Sequence, residues 1–204
     1  MAGMFHNKEK ILQEMLDKEL ERNVIISEKL SESNRKLSEL EDFFHFITAM
    51  LHEKGWQLYG LENFENEKIA FFLKSTYEQK PQFVYDYVLH AYLSNNLNSP
   101  IYRAQLEWRF DSRFEQQKRL FISSQSVEDD SLRGHGLGTM SFEKIKNLAK
   151  ELQCDSINGL RRPLTQFRTE EERKTGEQKL YHFYEKLGFE QSAESDKIKF
   201  ILRK

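Results

Sequence analysis

Three glycines, Gly134, Gly136 and Gly138, fall within five residues of a chain that holds only nine. They follow Arg133 and directly precede a helical pattern, "TMSFEKIKNLAKELQ". Glycine at a strand-to-helix junction removes Cβ atoms, so backbone N–H groups can converge on a ligand. The helix start adds unpaired donors and about half a positive charge, which together favour a phosphate. Arg133 supplies a fixed cation suited to paired phosphate oxygens. The composition is that of an anion cradle. Two common phosphate loops do not fit it. A P-loop needs Lys and then Ser/Thr after its last glycine, whereas Thr139 and Met140 follow Gly138. The dinucleotide fingerprint G-x-G-x-x-G has a different spacing and opens a parallel unit.

A third pattern does fit. Arg133-Gly134-His135-Gly136-Leu137-Gly138 reads R/Q-x-x-G-x-G/A, and Tyr184-Glu185-Lys186-Leu187-Gly188-Phe189 reads Y-x-x-x-G-F further along. In that order, the two motifs resemble the GNAT superfamily of acetyl-CoA-dependent N-acetyltransferases, over roughly Trp56 to Lys204. The resemblance implies a sheet whose neighbouring strands splay to admit the pantetheine arm. Backbone groups of Gln125, Ser126 and Val127 would pair with that arm. Arg133 and the amides of Gly134, His135, Gly136, Leu137, Gly138 and Thr139 would hold the pyrophosphate, and Tyr184 would protonate the departing thiolate. The cosubstrate implied is acetyl-CoA, with a primary amine as acceptor and direct attack in a ternary complex.

The chain departs from the family in several places. The strand after the loop helix, Ile157-Asn158-Gly159-Leu160-Arg161, has no carboxylate to serve as base. Glu177 stands where an asparagine commonly binds CoA, and the usual helix pair between the first two strands is not visible. Glu107, Asp86, His90 and Glu128 are the candidate bases, none singled out. A CoA-binding regulatory module without turnover, or a coiled-coil interaction protein, are the rival readings.

Bulk properties bound the partners. Formal net charge is −2, which gives no reason to expect nucleic acid or an anionic membrane. One cysteine, Cys154, cannot form an internal disulfide and reads as a buried structural thiol. No His or Cys spacing suggests a metal, and no apolar run is long enough to span a bilayer. With no signal-peptide core at the N-terminus, the expectation is a cytoplasmic protein.

Positioning these residues requires a scaffold. The charged fraction, 31%, is high and the apolar fraction, 38%, is low, which points to a solvated charged helix beside a core. Residues 1–54 are expected to form a helical arm, and 55–204 the acetyltransferase-like domain. Leu12, Leu16, Ile26, Leu30, Leu37, Leu40, Phe44, Ile47 and Leu51 recur at heptad spacing, interrupted by Glu19, Asn23 and Ser33. The pattern suits a coiled coil or helical hairpin, with a homodimer as one outcome, or a helix packed on the following domain. From Trp56 the period becomes two. Strands are expected over Lys68–Tyr77, Phe83–Leu93, Ile101–Phe110 and Lys118–Val127, with a turn near 111–116. A helix over Thr139–Gln153, a strand near 155–162, a helix over Glu177–Leu187 and a strand at 197–204 follow. The segment Arg168–Lys179 reads as an exposed, mobile insertion, and Arg161-Arg162-Pro163 as a solvated strand end. The sum is an α+β fold: a mixed, mostly antiparallel central sheet flanked by helices, after a long helical segment.

Overall fold

The computed structural model describes residues 2–52, 55–76, 85–111, 117–161, 169–192 and 195–202. The chain divides into two compact units, Met1–His45 and Phe46–Lys204. Tyr77, Phe83, Arg162, Pro163 and the turn residues 112–116 lie outside the described residues.

The helical segment is one continuous helix, α1 (Ala2–His52), and not a hairpin. Nothing between residues 5 and 54 can break it, because that stretch has no glycine or proline. Exposed pairs one turn apart, Arg22–Glu19, Lys36–Glu32 and Arg35–Glu39, each add a few tenths of a kcal/mol. Gly55, at φ +88, follows the helical run in a conformation that favours glycine.

The second unit is built on eight strands: β1 (Trp56–Phe64), β2 (Glu67–Thr76), β3 (Tyr85–Leu93), β4 (Tyr102–Asp111), β5 (Gln117–Val127), β6 (Ser156–Leu160), β7 (Glu190–Gln191) and β8 (Lys197–Ile201). Their order across the sheet is β1-β2-β3-β4-β5-β6-β8-β7. β1 to β5 form an antiparallel meander, β5 and β6 run parallel, and β8 pairs antiparallel with β6 and β7. The meander therefore has five strands, one more than the four expected. β1 escaped because "WQLYGLENF" does not alternate cleanly, and its burial is as irregular as its sequence. A tight turn at Glu65 (φ +54) links β1 to β2, so no helix pair intervenes.

Two helices complete the unit, α2 (Leu137–Glu151) and α3 (Glu170–Lys186). α2 repeats its apolar residues at the helical period, and Leu137, Phe142, Ile145, Leu148 and Ala149 are buried. They join one core with Phe71, Leu73, Leu89, Ala104, Leu106, Leu120 and Ile122 from the sheet. Each such large side chain contributes roughly 1.5–3 kcal/mol by leaving water. Phe72 points to the opposite face and is also fully buried. There Phe46 meets it with ring centroids 5.9 Å apart and meets Tyr92 at 4.9 Å.

α3 corrects one expectation. It starts at Glu170, so most of the presumed mobile insertion is helix. Thr169 caps it: its side chain accepts from the Glu172 amide, and the Glu172 carboxylate accepts from the Thr169 amide. This reciprocal box, followed by three glutamates in the first turn, is a helix start written in "TEEE".

Candidate functional site

Strands β5 and β6 pair only from Arg119↔Ser156 to Ile122↔Gly159. Beyond that point Ser124 to Val127 remain paired with β4 but have no strand partner on the β6 side among the described residues. Among the described residues, the polar backbone edge of this stretch is open to a further extended chain. Just before it, the β4–β5 register slips between Gln105 and Leu106, leaving Ser123 as an extra residue. A bulge of this kind re-aims every side chain after it. Leu120 and Ile122 face the core, and after the bulge Gln125 opposes Ala104 and Val127 opposes Tyr102, both core-facing. Without the bulge Ser124 and Ser126 would take those places.

Gln125 meets two phenols there. Tyr102 Oη donates to Gln125 Oε1 at 2.9 Å, and Gln125 Nε2 donates to Tyr184 Oη at 2.8 Å. Tyr184 comes from the last turn of α3 and is 4% exposed. Its ring lies 5.2 Å from those of Phe183 and Phe189, the latter placed by the positive-φ turn at Gly188. Burial pushes the Tyr184 phenol above its ordinary pKa, and the Gln125 hydrogen bond partly offsets that. Tyr184 is therefore neutral, and its hydrogen, given to no acceptor among the described residues, remains for donation.

The glycine loop lies at the end of β5. A short 3-10 turn (Asp130–Leu132), capped by Asp129, carries the chain to Arg133. Gly134 and Gly136 sit at φ +89 and +90, where L side chains are strained, and Gly136 is the N-cap of α2. The first helical bond runs from the Met140 amide to the Gly136 carbonyl at 3.0 Å. The amides of Gly136, Leu137, Gly138 and Thr139 consequently have no acceptor among the described residues, as the first turn of a helix requires. The Leu137 side chain is buried while its amide faces this opening turn.

Not every residue expected at the cradle is free for it. The His135 amide turns back to the Leu132 carbonyl at 3.4 Å, and its exposed ring pairs with Glu65 at 2.6 Å. The Arg133 guanidinium pairs with Asp130 at 2.9 Å and donates to the Val127 carbonyl at 3.3 Å. Arg133 must exchange these partners to meet a ligand. Ser126 Oγ donates to the Glu128 carboxylate. Glu177 is held by Arg173 at 2.5 Å.

The candidate bases separate by environment. Glu107 is engaged by Arg109 at 2.5 Å and by Ser123 Oγ. Glu128 lines a recess with Asn96, Ser99, Pro100, Asp129 and Asp130. His90 opposes Arg103 on β4, on the sheet face away from Gln125, and burial lowers its pKa to about 4. It is thus an unprotonated imidazole at neutral pH. Burial also pushes the Cys154 thiol up to about 11, which leaves it a poor nucleophile, as its structural reading requires. Among the described residues no cluster could hold a metal, and no helix is long and apolar enough to cross a membrane.

The motifs single out Tyr184 and the loop as expected site residues. They give Gln125 a backbone role only, and the sequence pattern places Tyr102 on one side of its strand with no tie to Tyr184. Gln125 follows the bulge that interrupts the period-2 pattern of β5, and Tyr102 reads as one more core-facing residue of β4, so no spacing in the sequence connects them to Tyr184.

The architecture is an α+β fold: a mostly antiparallel eight-stranded sheet, a glycine loop at the end of β5 that opens α2, and Tyr184 of α3 hydrogen-bonded to Gln125 on the same strand. No protein-family model matches the chain, and neither does any curated protein. Solved structures similar to it include a KacTA–DNA complex (16% identity, TM-score 0.38, 60% of this chain and 70% of that one). A mutant AtaT toxin bound to the C-terminus of the antitoxin AtaR and acetyl-CoA is another (14%, TM-score 0.38, 58% and 67%). The NatC complex bound to Gag peptide and CoA is a third (20%, TM-score 0.36, 58% and 71%). Likeness this distant does not carry an activity across.

Proposed function

We propose that this chain is a GNAT-type N-acetyltransferase that moves an acetyl group from acetyl-CoA to a primary amine by direct attack in a ternary complex. The observation that carries the reading is the position of Tyr184. Its hydroxyl is tied to Gln125, within the stretch of β5 that has parted from β6, and free amides at the start of α2 lie at the end of the same strand. The open edge from Gln125 to Val127 suits a pantetheine arm, and the amides of Gly136 to Thr139 suit a pyrophosphate. The unpaired backbone N–H groups would polarise the thioester carbonyl. The amine nitrogen attacks the carbonyl carbon, the C–S bond breaks, and Tyr184 gives its proton to the sulfur. The proton lost by the amine restores the phenol, so the products are an amide and CoA thiol. A thioester is already activated, and positioning with proton management supplies most of what it needs.

The test is acetyl-CoA titration followed by turnover against a panel of amines, read as acetyl mass increments. Saturable binding with turnover is expected, and a flat titration overturns the reading. Tyr184→Phe should lower kcat by roughly 10²-fold with acetyl-CoA affinity nearly intact. Gly136→Val should abolish binding, because φ +90 excludes a β-branched residue.

The arm belongs to the same reading as a homodimer contact. Leu16, Leu30 and Leu37, at heptad spacing on α1, are 55–60% exposed. With Asn23, Leu30 and Leu37 at a positions, Arg22, Lys29 and Lys36 fall at g. An antiparallel pair would oppose these cations to one another, whereas a parallel pair sets Lys36 against Glu41 of the second copy. The parallel pair is favoured.

A further inference from the structure

A phenol has one hydrogen, and a neighbouring acceptor can divert it from the leaving group. Around Tyr184 the choice is made by a single amide. Gln125 has one carbonyl oxygen, and Tyr102 Oη already donates to it at 2.9 Å. What Gln125 offers Tyr184 is therefore its N–H, at 2.8 Å. Tyr102 is 1% exposed, and burial, with Tyr184 nearby, raises its phenol far above the ordinary value. It stays protonated and keeps the amide from turning over. No charged side chain contributes to the shift of either phenol: burial is the main cause for both, with Tyr184 adding to it at Tyr102 and the Gln125 hydrogen bond opposing it at Tyr184.

We infer that Gln125 is a positioning residue: locked by Tyr102, it donates to the Tyr184 oxygen and so reserves the Tyr184 hydrogen for the leaving sulfur. The inference rests on the acetyl transfer proposed above. It accounts for the proton in both states. Before transfer, Tyr184 accepts from Gln125 and its O–H points elsewhere. After transfer, the same N–H becomes a charge-assisted bond to the phenolate, which is the stronger kind. The Ser123 bulge is what brings a side chain of this length onto the core-facing side of β5.

Gln125→Glu tests the polarity at constant size. A carboxylate has two acceptor oxygens and no donor. Both phenols would donate to it, and the Tyr184 hydrogen would be drawn from the cleft. The expected result is a fall in kcat of roughly 10²-fold, with acetyl-CoA Kd within about threefold of wild type. In the Tyr184→Phe background the same change should cost little more, because the proton it misdirects is already gone. Tyr102→Phe releases the amide without adding a charge, and a smaller fall in kcat, again at unchanged Kd, is expected. A readout independent of turnover is the ring-carbon NMR titration of isotope-labelled tyrosine, with Tyr184 assigned by its loss in Tyr184→Phe. Its phenol should ionise at higher pH in Gln125→Glu than in wild type. An unmoved Tyr184 titration overturns the inference whether or not the wild type turns over acetyl-CoA. So does a Gln125→Glu enzyme with wild-type kcat.

Discussion

A Cβ on Gly138 would stand 3.1 Å from the Phe183 ring, whereas one on Gly134 or Gly136 would meet nothing within 4 Å. The cluster thus combines two functions: left-handed backbone at an open surface, and close approach of α2 to the tyrosine helix. His90 shows a similar division between a residue's type and its setting. It lies 4.9 Å from the Trp56 ring, and its Nδ1 is buried with no hydrogen-bond partner among the described residues. Burial is the main cause of its low pKa, Arg103 adds to it, and Glu128 opposes it. Between about 4 and the ordinary 6.5 the unfolded chain binds a proton that the folded chain does not. His90 therefore contributes stability above 6.5 that is lost as pH falls through 4. Urea unfolding of wild type and His90→Phe across that window should show a steeper acid loss for the wild type. Parallel curves would remove His90 from that role.

At the scale of elements, α3 depends on its first turn. Thr169 is exposed and packs against nothing that a core would need, yet it satisfies an amide that the helix leaves open. Thr169→Ala should lower the free energy of unfolding by about 1 kcal/mol, and Thr169→Ser should recover most of it. An unchanged midpoint for Thr169→Ala would mean that the first turn frays without cost. Because Tyr184 rides on the same helix, the alanine variant should retain its kcat if only the first turn loosens. The other decisive element is β5, where one extra residue turns an ordinary strand into one that presents Gln125 to the cleft.

At the scale of the whole molecule, the exposed stripe on α1 makes a prediction about association. Every described side chain from Gln13 to Ser38 is exposed, including Leu20, Ile26, Leu30 and Leu37. In the pairing proposed above, a helix of 51 residues with so little burial would gain most of its stability from association. Light scattering at micromolar concentration should give twice the monomer mass, and Leu30→Glu with Leu37→Glu should return the monomer. A monomeric wild type would rule out the pairing. Acetyl-CoA binding should survive in the double variant, since the loop and Tyr184 belong to the second unit.

The sequence by itself determined whatever is encoded locally: the helical character of the arm, the strand periodicities, the glycine loop at a helix start and the tyrosine three residues before Leu187. Each rests on neighbours within one or two turns of chain, where propensity and spacing act directly. Even the capped start of α3 was legible in Thr169 and Glu172, although its charge made it read as a loop. Only the tertiary structure decided where β5 leaves β6, how Ser123 shifts the faces of a strand, and that Tyr102, Gln125 and Tyr184 share one chain of hydrogen bonds. Those facts depend on register between segments distant in sequence, and a slip of one residue reverses every side chain without changing the pattern that sequence reading detects.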